Sequence, residues 1–267
     1  MPRVIVVGTD GSPAAAAAVE WAADDAARAA TGMRVVHVAD RSPYASLGSD
    51  DSILADGEAV ARKRQPGIDV TCELLEGAAA AVLRGLAADA AEIVIGGRGH
   101  GGFLGSVLGS VSAHVAGHAH GPVVVVRSGP DIVFGEIAVG LDDYRACEPA
   151  LAYAFEQARL RTAAVRAVYA WLPPAQARAD ELDEIHAAQR RTAARLLQGW
   201  RQDYPQVSVI EDVRLAHPVA ALVGAAEKAD LVVVGSQGRG AIGTVMLGSI
   251  TLGVLQHART SVAVVRP

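Results

Sequence analysis

One pattern occurs twice in this chain, and that duplication restricts its fold more than any other feature. The apolar run Ile93-Val94-Ile95-Gly96-Gly97-Arg98-Gly99 returns as Leu231-Val232-Val233-Val234-Gly235-Ser236-Gln237-Gly238. Gly99 is followed after nine residues by Gly109-Ser110, and Gly238 after nine residues by Gly248-Ser249. Each half also opens alike, with Val4 to Asp10 matched by Ile137 to Asp142, and closes alike, with Val123–Arg127 matched by Val262–Arg266. Self-similarity at this range marks a tandem of two related units.

Between these anchors the first half shows five short runs, Val4–Gly8, Arg34–Val38, Val70–Leu75, Ile93–Gly96 and Val123–Arg127, rich in the β-branched residues that strands favour. Helical stretches separate them: Pro13–Ala30, a weak one over Asp51–Arg64, Ala78–Ala90 and Leu104–His118. The second half repeats the order with strands near Ile137–Leu141, Val165–Tyr169, Val207–Val213, Leu231–Gly235 and Val262–Arg266. Its second helix is longer, over about Ala175–Asp203. Strict alternation predicts an α/β fold of two tandem open-sheet domains, each a parallel sheet with helices on both faces. Ser128-Gly129-Pro130 and the stretch to Gly135 read as the linker, which sets the domains at residues 1–130 and 131–267.

Charge and apolar content remove several function classes. The net charge is −5 and no basic run exceeds Arg62-Lys63-Arg64, so the basic stripe that nucleic-acid binding needs is missing. The apolar run Val4–Val7 is too short for a signal-peptide core, and no segment has the roughly 18 apolar residues of a membrane span. The expectation is a cytoplasmic protein that uses neither membrane nor nucleic acid. Cys72 and Cys147 are the only cysteines, are not in a CxxC pair, and read as ordinary buried thiols.

In an open parallel sheet, ligands settle beyond the carboxyl ends of the strands where the strand order reverses. Two loops in each half carry suitable chemistry. After strand four, Gly96-Gly97-Arg98-Gly99-His100-Gly101-Gly102 leaves backbone N–H groups able to close on an oxyanion, and Gly109-Ser110 begin the helical stretch beyond. After strand one stands Asp10, a carboxylate able to hold ribose hydroxyls or a Mg²⁺ hydration shell, followed by Gly11, an N-cap Ser12 and Pro13 at N1.

The same glycines match G-x-G-x-x-G, but that dinucleotide fingerprint belongs to the first strand–helix turn and wants an acid about 20 residues on. The stretches His118–Arg127 and Ala258–Pro267 hold no Asp or Glu. A G-x-x-x-x-G-K-[ST] loop and a G-x-S-x-G elbow are both missing, which leaves no strong catalytic constellation.

A strand ending in Asp10 or Asp142, with G-x2-G-x9-G-[ST] after strand four, resembles the ATP-binding class of the universal stress protein family, here as a tandem two-domain member. The resemblance implies a five-stranded sheet of order 3-2-1-4-5 in each domain, ATP and Mg²⁺ between strands one and four, and pairing through strand five. It also implies a homodimer of the two-domain chain and a still unidentified protein partner.

The implied cofactor contacts in the first half are Gly8, Thr9, Asp10, Val38, Ala39, Gly96, Arg98, Gly99, Gly109, Ser110, Val111 and Ser112. In the second half they are Gly140, Leu141, Asp142, Ala170, Gly235, Gln237, Gly238, Gly248, Ser249, Ile250 and Thr251. By the same resemblance Asp10 and Asp142 would hold ribose or metal, backbone around Val38-Ala39 and Tyr169-Ala170 would meet adenine, and the glycines with Ser110 or Ser249 would hold phosphates. The second half departs from the first in placing Asp143-Tyr144-Arg145 where the first has Gly11-Ser12-Pro13.

Two further features have plainer readings. His114, His118 and His120 sit close, the first two at i, i+4, a spacing that can chelate a metal, but no acid lies between them and Ala, Val and Gly surround them, which disfavours a metal site. Asp40–Gly57 reads as a flexible connection. The functional expectation is a nucleotide-dependent regulator of stress response or growth state. A slow ATPase and a nucleotide-independent interaction scaffold are the alternatives.

Overall fold

The structure is a computed structural model and describes residues 3–39, 50–97, 108–127, 132–142, 147–174, 176, 178–236 and 247–266. The chain divides into two compact units, Met1–Gly129 with Val245–Leu247 and Arg266–Pro267, and Pro130–Thr244 with Gly248–Val265.

In the first unit the β-branched runs form β1 (Ile5–Gly8), β2 (Met33–Ala39), β3 (Val70–Glu76), β4 (Glu92–Gly96) and β5 (Gly121–Val126). They pair in parallel in the order β3-β2-β1-β4-β5. The helices are α1 (Pro13–Arg28), α2 (Asp50–Arg64), α3 (Ala79–Leu86) and α4 (Ser110–His118). α1 and α2 pack together, as do α3 and α4. A methyl placed on Gly8 would meet Leu83 of α3, whereas one on Gly96 would meet Ala14 of α1, so the two helix pairs cover opposite faces of the sheet.

α1 starts where the sequence stops it fraying. Ser12 accepts a hydrogen bond from the Ala15 N–H at 3.2 Å, and Pro13 supplies the fixed φ of a first helical residue. Its inward residues Ala15, Ala18, Ala22 and Ala26 are small, so the helix axis comes close to the sheet. That closeness makes a glycine necessary at position 96: an added Cβ would stand 2.7 Å from the Ala14 carbonyl oxygen.

The second unit repeats the frame with β6 (Glu136–Gly140), β7 (Ala164–Trp171), β8 (Val209–Leu215), β9 (Leu231–Gly235) and β10 (Ser261–Arg266), in the order β8-β7-β6-β9-β10. Its helices are α5 (Glu148–Arg161), α6 (Leu182–Asp203), α7 (Pro218–Ala226) and α8 (Ser249–His257). Even the helix stops are copied. Ala30 and Thr162 take left-handed φ values of 49° and 53°, and the next N–H reaches back to Ala26 at 3.0 Å and to Ala158 at 2.9 Å.

Three sequence expectations are corrected. α6 begins at Leu182 rather than near Ala175, because a 3₁₀ turn over Ala179–Glu181 comes first and the acids Asp183 and Glu184 then favour a helix N-terminus. α3 ends at Leu86 instead of Ala90, where the chain tightens into turns such as Ala87 N–H to Arg84 O at 3.3 Å. Cys72 is exposed and Cys147 half-exposed, so neither is a buried thiol. β3 is the outermost strand of its sheet, which leaves Thr71 and Leu74 exposed as well.

Candidate functional site

The carboxyl ends of β1 and β4 lie side by side, with Val7 paired to Val94, and this is where the strand order reverses. Gly8, Val38, Gly96 and Gly109 are half-buried here, and Gly140, Ala170, Gly235 and Gly248 are half-buried at the corresponding place in the second unit. These eight residues thus stand at corresponding strand ends and helix starts in the two units. Arg98, Gly99, Gln237 and Gly238 lie outside the described residues, as do His100 and most of the Asp40–Gly57 connection.

The β1 side of the first crevice is a tight turn. Asp10 Oδ1 accepts from the Ser12 N–H at 3.0 Å, and Thr9 Oγ1 accepts from the Gly11 N–H at 3.3 Å. Gly11 has φ +78°, a conformation that a side chain would strain. The turn hands directly into α1, so the Asp10 carboxylate is fixed beside a helix start.

The β4 side closes on itself. Gly97 N–H donates to Val126 O at 2.9 Å, and Gly109 N–H returns to Gly97 O at 2.9 Å, joining the two ends of the glycine loop. α4 then begins at Ser110 with no side-chain cap, so its first-turn N–H groups keep the partial positive charge that draws anions. Ser110 is exposed at this terminus. Ser112 serves the fold instead, because its buried hydroxyl donates to the Gly96 carbonyl at 2.7 Å and pins the helix to the strand end.

The second unit reproduces the β4 side closely. Ser236 N–H donates to Val265 O and Gly248 N–H to Ser236 O, each at 3.0 Å, α8 begins uncapped at Ser249, and Thr251 Oγ1 donates to Gly235 O at 2.6 Å. The β1 side is different. α5 begins only at Glu148, Cys147 offers no side-chain cap, and the Cys147 thiol donates to the Asp142 carbonyl at 3.0 Å. Partial burial above all pushes that thiol's pKa up, which favours the protonated form that donates.

Sheet register corrects one correspondence. Gly8 pairs with Val36 and Gly140 with Val168, so Val38 corresponds to Ala170 and Ala39 to Trp171, rather than Val38-Ala39 to Tyr169-Ala170. The residue matching Tyr169 is therefore His37. Both are buried; Tyr169 entered the sequence reading only for its backbone, and His37 not at all. Counting from the glycine that ends β1 or β6 would have found the pair.

His37 Nδ1 is 2.8 Å from Thr9 O, and Nε2 is 3.2 Å from Asp50 Oδ1. Tyr169 has its pKa raised by burial first and by the Asp142 charge second, with Arg195 pulling it down. Trp171 Nε1 donates to His186 Nδ1 at 3.3 Å, tying the end of β7 to α6.

The His114 and His118 rings stack with centroids 4.3 Å apart, and His118 Nδ1 lies 2.9 Å from the His114 carbonyl. His257 repeats that contact on Gly253 at 2.8 Å, so this is a helix-end arrangement common to both units. Among the described residues no group of three or more His, Cys, Asp or Glu side chains could hold a metal, and no helix is long and apolar enough to cross a membrane.

Comparison with known proteins gives the same duplication. The profile of the Universal stress protein family matches residues 1–127 and again residues 134–266. A universal stress protein of Mycobacterium tuberculosis is 32% identical over 98% of this chain and 96% of its own length. One from Mycolicibacterium smegmatis is 32% identical over 98% of this chain and 97% of its own. The crystal structure of a universal stress protein from Archaeoglobus fulgidus superimposes with a TM-score of 0.70 at 19% identity, covering 98% of both chains, which is a likeness of fold.

Proposed function

The chain belongs to the universal stress protein family, and on that premise we propose that it is a cytoplasmic ATP-binding regulator whose nucleotide occupancy alters partner binding or growth state. The observation that carries this reading is the pairing, in both units, of a strand-end aspartate with an uncapped helix N-terminus across the β1/β4-type crevice.

The residues present fit such a ligand. A polyphosphate would take the first-turn N–H groups of α4, at Ser110, Val111 and Ser112, where the helix dipole favours negative charge. In the second unit Ser249, Ile250 and Thr251 of α8 offer the same groups. A ribose would take the carboxylates of Asp10 or Asp142. Mg²⁺ is commonly held by one or two carboxylates together with phosphate oxygens and water, so a single aspartate per site suffices, and the ion would arrive with the nucleotide. The backbone of Val38 and Ala39, or of Ala170 and Trp171, would border the base.

Acid precipitation of the purified protein followed by mass spectrometry of the supernatant tests the reading. An adenine nucleotide should be released, and added ATP at about 100-fold over Kd should stabilise the fold by roughly 2.7 kcal/mol. Protein that releases no adenine ligand and shows no ATP-induced melting shift would overturn it. Formation of ADP that Asp10→Ala and Gly109→Ala abolish would identify a slow ATPase instead of a switch.

A further inference from the structure

We infer that His37 is a positioning residue of the first nucleotide site, which holds the Thr9–Asp10 peptide in place by bridging it to the start of α2. The inference rests on the ATP reading above and adds to it a residue outside the glycine motif.

His37 is buried, and its two ring nitrogens face the Thr9 carbonyl at 2.8 Å and the Asp50 carboxylate at 3.2 Å. The Thr9 carbonyl can only accept, so the contact to it has the Nδ1 N–H donating, while Nε2 faces the Asp50 carboxylate. The ring is thereby held between a carboxylate and a peptide oxygen, one at each nitrogen.

The Thr9 carbonyl belongs to the same planar peptide as the Asp10 N–H. Fixing that oxygen therefore fixes the plane from which the Asp10 side chain leaves. Other bonds in the turn are local or come from strand backbone: Thr9 N–H to Val36 O at 2.9 Å, Gly11 N–H to Thr9 Oγ1, and Ser12 N–H to Asp10 Oδ1. His37 contributes a side-chain contact from a residue distant in sequence to this turn, and Asp50, the first residue of α2, anchors its far side.

The second unit has Tyr169 at the register position of His37 and Leu141 in place of Thr9, so the clamp belongs to the first site alone. Asparagine and glutamine separate its two bonds. The Asn amide nitrogen falls near Nδ1 and keeps the Thr9 contact, while Gln reaches toward Asp50 and abandons Thr9.

The test is calorimetric titration of ATP into the full chain carrying Asp142→Ala, so that only the first site is read, with and without changes at position 37. His37→Gln and His37→Phe should weaken ATP about tenfold, the loss of the bond to the Thr9 carbonyl, and His37→Asn should restore binding to within about threefold. Melting of the nucleotide-free proteins should not follow that split, as it would if the ring only stabilised the fold.

Should His37→Phe fail to fold, Asp50→Ala at the exposed helix start should still weaken ATP about threefold. Equal ATP affinity in His37→Gln, Asp50→Ala and the unsubstituted protein would overturn the inference, as would an Asn variant no better than Gln. Absence of ATP binding in the protein without any substitution would instead sink the nucleotide reading itself.

Discussion

The two units carry the same glycine side of the crevice and a different aspartate side. In the first, Asp10 sits in a tight turn made by a left-handed Gly11, a capping Ser12 and the His37 clamp. In the second, α5 starts later, a thiol holds the Asp142 carbonyl, and a tyrosine lies where the imidazole was. The difference shows that duplication preserved the backbone frame, meaning register, strand ends and uncapped helices. The polar groups that set the strand-end carboxylate were free to change.

The sheets differ in the same sense. Arg34 of β2 meets Glu73 of β3 at 3.2 Å, and the matching pair in the second unit, Arg166 and Asp212, is 3.3 Å apart. There the pair joins a network, because Arg166 also contacts Glu136 at 2.8 Å and Asp212 also pairs with Arg214. Burial alone would raise the Asp212 carboxyl, but Arg214 and Arg166 outweigh it and hold the pKa below its ordinary value.

The largest expected effect breaks the frame itself. Gly96→Ala would drive a methyl to 2.7 Å from backbone at the start of α1 and should cost about 3 kcal/mol or more. Gly140→Ala in the second unit would meet Leu222 at an ordinary 3.5 Å and should cost about 1 kcal/mol or less. Chemical denaturation of the two variants measures the contrast.

The ion pairs give the next contrast. Asp212→Asn removes the carboxylate that Arg214 and Arg166 share, leaving Arg166 with Glu136 alone, and should cost about 2–3 kcal/mol. Glu73→Gln removes a surface pair, worth under about 1 kcal/mol. A reversal of that order in urea melts would mean that the network is ornamental.

Acid titration sharpens the same comparison. The folded pKa of Asp212 is depressed, so its contribution is fully present above the unfolded carboxylate pKa near 3.9 and is lost as pH falls through the lower folded value. Melting temperature should drop steeply below about pH 4, and Asp212→Asn should flatten part of that drop. Asp24, whose carboxyl burial raises but Arg64 and Gln65 bring below normal, should account for a similar part in the first unit.

The smallest effect tests what the two units share. Ser112→Ala and Thr251→Val each remove one buried hydroxyl bond from helix to strand end, and each should cost about 1 kcal/mol. Unequal costs would show that the glycine sides are less alike than their geometry.

Runs such as Val4–Gly8 and Leu231–Gly235 were legible as strands because β-branched residues leave little else to choose, and the repeated glycines made the crevice legible in outline. The reasons behind individual residues were not. Gly96 is required by the Ala14 carbonyl, and the Ser112 hydroxyl serves the fold. His37 drew no notice in the sequence, since its partners, Thr9 and Asp50, are far from it along the chain. The later start of α6 depended on a 3₁₀ turn that helix propensity does not register.

Hydrogen exchange of the full chain with and without ATP is the sharpest check on the proposed crevice, because it reports where the nucleotide sits. Slowed exchange at residues 9–12 and at the start of α4, residues 110–112, is the predicted result. ATP that binds while leaving both segments of the first unit unchanged would contradict that placement.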